Sequence, residues 1–168
     1  MRLTNFIVRE AILPGLKTIA ADANPRDPVA VGGVKERVIR EMVESLAAAG
    51  GFPDGDLEDI TKAVLRREQL GTTGIGKNIA IPHSRHPSVN RLVGTLALAP
   101  GGLPFESLDG EPVYVFVLLV SPQERPGDHL RALEAVVRTM RNEDYVKQLR
   151  GCTSADEIWK LLEEAPGW

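Results

Sequence analysis

The sequence predicts an α/β fold, an α+β sandwich in which helices cover both faces of a central mixed β-sheet. Two Leu/Val-rich runs, 92–99 and 112–120, read as strands, and the second is too continuously apolar to have a wet face, so it belongs at the centre. Amphipathic helical stretches lie before, between and after these runs, the order that lays helices over a sheet. At 168 residues the chain fits one domain, 1–168, long enough to bury a core without staples.

Residues 22–33 collect prolines and glycines and read as a loop leading into Val34. From there Val34, Val38, Met42 and Leu46 recur every four residues, and Gly50-Gly51 supplies the stop. Asp56 is the expected N-cap of a second helix with the face Leu57, Ile60, Val64, whose last turn carries Arg66 and Arg67 before Gly71. Asp128 is the expected cap of a helix carrying Leu130, Leu133, Val136, Val137 and Met140. Ser154 and Glu157 form a capping-box pair ahead of Ile158, Leu161 and Leu162.

Apolar residues make up 43% and charged residues 26%, ordinary values for a folded chain. A net charge of −3 lacks the broad basic field that nucleic-acid binding uses. The longest apolar run, Val113 to Val120, is far short of the roughly 20 residues of a spanning helix, so no membrane insertion is expected. The first residues reach Arg9 and Glu10 without the apolar core of a secretory signal, which points to a cytoplasmic address. Cys152 is the single cysteine, follows Arg150-Gly151 where a helix end is expected, and reads as structural, with no disulfide framework.

The densest unusual segment runs from Arg67 to His83, and three readings compete for it. Gly71, Gly76 and Lys77 fit the start of a nucleotide P-loop, but Asn78 stands where a Ser or Thr would hold magnesium, and the segment leaves a helix to enter a strand, the reverse of the P-loop order. A structural reading lets Gly71, Gly74 and Gly76 turn the chain while Thr72 and Thr73 cap local amides. His86, three residues beyond His83, invites a zinc reading with His129 as third ligand, yet there is no H-E-x-x-H helix or cysteine pair, and no metal or other cofactor is expected.

The string Gly71-Thr-Thr-Gly-Ile-Gly-Lys-Asn-Ile-Ala-Ile-Pro-His83 closely resembles the signature of enzyme IIA domains of the bacterial sugar phosphotransferase system, in the fructose/mannitol and nitrogen-regulatory branch. Pro104-Phe105, Asp109-Gly110-Glu111-Pro112-Val113, Pro122 and His129-Leu130-Arg131-Ala132-Leu133 extend the resemblance over nearly the whole chain. It implies a phosphoryl carrier in which His83 accepts the phosphoryl group, with His129 and Arg67 as partners in the site. Thr72, Thr73, Gly74 and Ser84 complete the implied phosphoryl-binding set. The implied partners are a phosphohistidine donor resembling HPr and a downstream enzyme IIB domain; the alternative is a free-standing regulatory module that controls a partner protein, with phosphorylation as its switch. Asn78 and Ser84 depart from the family pattern, which usually has glycine at both places, and a fold kept without its phosphoryl chemistry is a third reading.

The residue types suit the task. Neutral imidazole is nucleophilic near pH 7, and its phosphoramidate stays reactive enough to pass the group on. Ile81, preceding Pro82, favours extended geometry, so the strand should end there and present His83. A helix beginning at Asp128 would put His129 in its first turn, where an anion is favoured. Position alone makes His129 a surface residue, and Arg66, Lys77 and Arg85 are either a second phosphate patch or solvated loop charges.

Overall fold

The computed structural model describes residues 1–20 and 23–165. Among these there are five α-helices, α1 (Pro28–Ala48), α2 (Leu57–Leu70), α3 (Pro126–Met140), α4 (Glu143–Arg150) and α5 (Ala155–Glu164). Five strands form one sheet: β1 (Gly74–Gly76), β2 (Ile79–Ala80), β3 (His83–His86), β4 (Val93–Leu103) and β5 (Val113–Pro122).

The apolar run of 112–120 is the central strand, as its composition predicts. β5 pairs antiparallel with β4 and parallel with both β2 and β3. Its side chains alternate between two cores. Phe116, Leu118 and Val120 pack with α1 and α2, whereas Val115, Val117 and Leu119 pack with α3, α4 and α5. All six are fully buried, each contributing on the order of 1.5–3 kcal/mol by leaving water. The expected α/β sandwich, a mixed sheet between two helical layers, is the fold.

Helix α1 starts six residues earlier than periodicity predicts. Asp27 accepts the Val29 N–H at 3.0 Å and Pro28 occupies the first helical position, so a strong cap places Gly32 and Gly33 inside the helix. The expected loop therefore ends at Asp27, and Asp22 at its start lies outside the described residues. Helix α2 begins at Leu57, but Asp56 makes no capping hydrogen bond with its side chain; the 3-10 turn Asp54–Asp56 delivers the chain instead. Helix α3 also begins early, because Pro126 takes its first position and Arg125 the cap, leaving Asp128 inside the first turn beside Arg131.

β4 extends past Ala99 through Pro100-Gly101-Gly102 to pair Leu103 with Val113 after a register shift. Its outer edge is covered by the N-terminal segment: Val8 donates to Gly94 O at 2.8 Å and Leu13 to Leu96 O at 2.9 Å. Gly94 is required where it stands, since a Cβ there would meet the Leu118 carbonyl oxygen at 2.6 Å. At the chain's other end Ser154 Oγ accepts the Glu157 N–H at 3.2 Å, and the Glu157 carboxylate returns to the Thr153 N–H at 3.1 Å.

Candidate functional site

β1 and β2 form a hairpin whose two turn residues, Lys77 and Asn78, both have positive φ, 55° and 70°. Asparagine is among the few non-glycine residues that accept this conformation. Its amide donates to Pro112 O at 2.8 Å, while its own carbonyl accepts the Tyr114 and Val115 N–H groups. The turn is latched from outside by Asp109, whose carboxylate accepts the Lys77 N–H at 2.9 Å and the Glu111 N–H at 3.0 Å. Asn78, expected from the sequence to depart from a glycine, is thus accommodated in the turn.

Strand pairing does lapse at Ile81-Pro82, as the proline predicts, but it resumes. His83–His86 pairs with Leu119–Pro122 in unbroken register with the Ile79–Val115 pairing, and the Pro82 carbonyl accepts the Leu119 N–H. His83 therefore sits at a break within a strand edge rather than beyond a strand end. The break frees the Ile81 carbonyl, which lies 2.7 Å from His83 Nδ1. A carbonyl can only accept, so Nδ1 carries the proton and Nε2 keeps its lone pair.

His83, Arg67, Ser84, Arg85, Gln123, Pro126, His129 and Leu130 line one open cleft of about 520 Å³. The His83 and His129 rings lie 5.3 Å apart between centroids, tilted by 55°. Burial holds His83 below its ordinary pKa of 6.5; the Ile81 hydrogen bond opposes this and the Arg67 charge adds to it. His129 is pushed down to about 4, first by burial and then by His83 and Arg85. Both imidazoles are neutral near pH 7. The His129 N–H is taken by the Arg125 carbonyl at 3.3 Å, so its backbone is no free anion donor at a helix start; its ring is what faces the cleft. Nδ1 of that ring lies 2.5 Å from Ser121 Oγ.

Arg67 reaches the cleft from the last turn of α2, where its guanidinium donates to Gly71 O at 2.8 Å and retains further N–H groups. Ser84 lines the cleft and donates to the Arg85 carbonyl at 3.1 Å. Thr72, Thr73 and Gly74 stand elsewhere. Thr72 Oγ1 donates to Phe105 O and accepts the Gly74 N–H, and the Thr73 N–H and hydroxyl both go to the Glu68 carboxylate. These residues shape the loop and are absent from the lining of the histidine cleft. The basic trio also divides: Arg85 lines the cleft, Lys77 occupies the hairpin turn, and Arg66 lies outside the lining.

Glu68 is a residue that sequence reasoning missed. It is 5% exposed and binds Lys35, itself 7% exposed, at 3.0 Å; Lys35 also meets Glu106 at 3.1 Å. The α1–α2 layer thereby fixes the start of the glycine loop. A charged residue in the last turn of a helix gives no sign in sequence that it points inward. Ser121, the one serine in an apolar strand and eight residues before His129, carried a fainter signal. His86 faces away from the cleft: Nδ1 accepts the Ser88 N–H, so Nε2–H donates to Asp59 at 2.5 Å. Among the described residues no group of three or more His, Cys, Asp or Glu is arranged to hold a metal ion. Cys152 is buried, which raises its thiol pKa, and its Sγ lies 3.4 Å from Gln148 O.

Residues 31–165 match the family described as "Phosphoenolpyruvate-dependent sugar phosphotransferase system, EIIA 2". A nitrogen regulatory protein of Bradyrhizobium diazoefficiens is 32% identical over 166 residues, covering 99% of this chain and 97% of that protein. The fructose-specific EIIABC component of Bacillus subtilis is 34% identical over 130 residues, which is 77% of this chain but 20% of that larger protein. In fold, the chain is similar to the nitrogen regulatory protein IIA-Ntr of Neisseria meningitidis, with a TM-score of 0.71 at 23% identity, covering 94% of this chain and 97% of that one. It is also similar to enzyme IIA of the Escherichia coli mannitol system in complex with phosphorylated enzyme IIB, with a TM-score of 0.64 at 22% identity, covering 77% and 88%. Family match and full-length relative agree: the chain belongs to the EIIA type 2 family of the phosphoenolpyruvate-dependent sugar phosphotransferase system.

Proposed function

We propose that the protein carries a phosphoryl group on His83 Nε2, received from a phosphohistidine donor resembling HPr in the cytoplasm. The observation that supports this most directly is the Nδ1–H to Ile81 O hydrogen bond, which leaves Nε2 unprotonated in the cleft. In the transfer the donor's N–P bond breaks and its ring keeps the electron pair while Nε2–P forms. The positive character that His83 then acquires is stabilised at Nδ1–H by the Ile81 carbonyl. Arg67 and His129 meet the phosphoryl oxygens, where charge spread over three oxygens makes positioned donors the main catalytic resource.

No nucleotide enters this scheme, since the incoming group is already activated. Donor, enzyme I and phosphoenolpyruvate should label the protein without ATP; labelling by ATP and magnesium alone would revive the P-loop reading.

Onward transfer to an enzyme IIB domain is one use of the group, suggested by the mannitol relative whose structure is a complex with phosphorylated IIB. The near-complete coverage of a nitrogen regulatory protein favours the second use, a module that controls a partner through its phosphorylation state. Capture of a partner that binds wild type but not phosphorylated protein supports control, whereas dephosphorylation by a IIB domain and sugar supports transport.

A further inference from the structure

The Ser121 side chain is completely buried at the end of β5, and among the described residues its hydroxyl hydrogen-bonds only with His129 Nδ1, at 2.5 Å. Two arrangements fit that distance. If Nδ1–H donated to Oγ, the serine proton would have no acceptor, a loss that buried groups seldom bear. His129 Nε2 would then also present a lone pair to the cleft, the wrong polarity for a phosphoryl oxygen. If the serine O–H donates to Nδ1, no donor is orphaned and Nε2 carries the ring's proton.

We propose that Ser121 is a positioning residue that fixes His129 as the Nε2–H tautomer and so turns a neutral imidazole into a hydrogen-bond donor aimed at the phosphoryl group. Two neutral histidines 5.3 Å apart are thereby given opposite polarity. The Ile81 carbonyl makes His83 an acceptor at Nε2, and the Ser121 hydroxyl makes His129 a donor at Nε2. The two settings come from neighbouring paths of the sheet, because His83–His86 is paired with Leu119–Pro122. Strand register sets Ser121 opposite Arg85, two residues beyond His83. The depressed pKa of His129, about 4, agrees with a ring that must donate while neutral.

The role in catalysis rests on the phosphoryl reading of the cleft, but the tautomer does not, and it can be read separately. Two-bond ¹H–¹⁵N spectra of the full chain near pH 7 should show His129 protonated at Nε2, with Nδ1 shielded by an accepted hydrogen bond. In Ser121→Ala that Nδ1 signal should move to the position of a free lone pair or broaden as both tautomers appear, while His83 stays protonated at Nδ1. Ser121→Thr, which keeps the hydroxyl, or Ser121→Cys, with a weaker donor, should restore the wild-type pattern wholly or in part. Acceptance of the phosphoryl group by folded Ser121→Ala should slow by about tenfold or more, the scale on which partners that orient a functional histidine act. Wild-type His129 protonated at Nδ1, or a Ser121→Ala spectrum with both ring nitrogens unmoved, overturns the proposal. Failure of wild type to accept a phosphoryl group on His83 would strike the catalytic reading alone and leave the tautomer result standing.

Discussion

His83 Nδ1 and the Ile81 carbonyl oxygen are 2.7 Å apart, and this contact decides which ring nitrogen can react. Phosphorus should therefore be bonded to Nε2. Phosphorus–nitrogen coupling in ¹⁵N-histidine-labelled protein reads the position directly; coupling to Nδ1 would mean that the Ile81 hydrogen bond breaks before transfer.

Arg67 lines the cleft while one of its N–H groups holds the Gly71 carbonyl. Arg67→Ala should slow acceptance by about 10²-fold, the effect of losing one preorganised donor. Arg67→Lys should recover part of that loss, as a point charge replaces a fork. A folded Arg67→Ala protein with wild-type kinetics would remove Arg67 from the site.

The histidines also set a pH dependence. Their folded pKa values lie below 6.5, so in acid the unfolded chain binds protons that the folded chain refuses. This contribution is intact above pH 6.5 and is lost as pH falls through the window from 6.5 to about 4. Urea titrations across that window should show wild type losing more stability than His129→Gln, which cannot titrate. Parallel loss in both would place the acid sensitivity elsewhere.

The Lys35–Glu68 pair is buried, and Glu68 also holds the Thr73 N–H and hydroxyl. Glu68→Ala leaves Lys35 with the half-exposed Glu106 alone and should cost about 3 kcal/mol. Asp156→Ala, at the exposed pair with Arg9, should cost less than about 1 kcal/mol. Denaturant midpoints compare them, and equal losses would show that Glu68 does not anchor the loop.

The sandwich and its central strand were legible because β5 is buried on both faces, a condition that leaves a continuous apolar run. Helix starts were less so. Asp27-Pro28 and Arg125-Pro126 begin helices with residues that also punctuate loops, and the two glycines after Val31 strengthened the wrong reading. Helix α4 was not anticipated beyond its end near Gly151, since eight residues give little periodicity, and its cap, Asn142 accepting the Tyr145 N–H, is visible only once folded. In the cleft, His83, His129, Arg67 and Ser84 were found through one long motif and a later histidine. Thr72, Thr73 and Gly74 belong to the same motif, but their hydrogen bonds turn toward Glu68 and Phe105, a direction no linear pattern encodes. Ser121 meets His129 between the end of a strand and the start of a helix, and Lys35 meets Glu68 and Glu106 from a helix remote in sequence, contacts that only the fold creates.

The claim at the centre of this account is that His83 alone forms the bond to phosphorus while His129 assists from across the cleft. Wild type, His83→Ala and His129→Ala should each be incubated with phosphoenolpyruvate, enzyme I and an HPr-like donor, and the acid-labile, base-stable label mapped by mass spectrometry. Stoichiometric label is expected on His83 in wild type, none in His83→Ala, and slowed but measurable label on His83 in His129→Ala. Stoichiometric label on His129 with His83 unmodified, or equal labelling of His83→Ala and wild type, would contradict it.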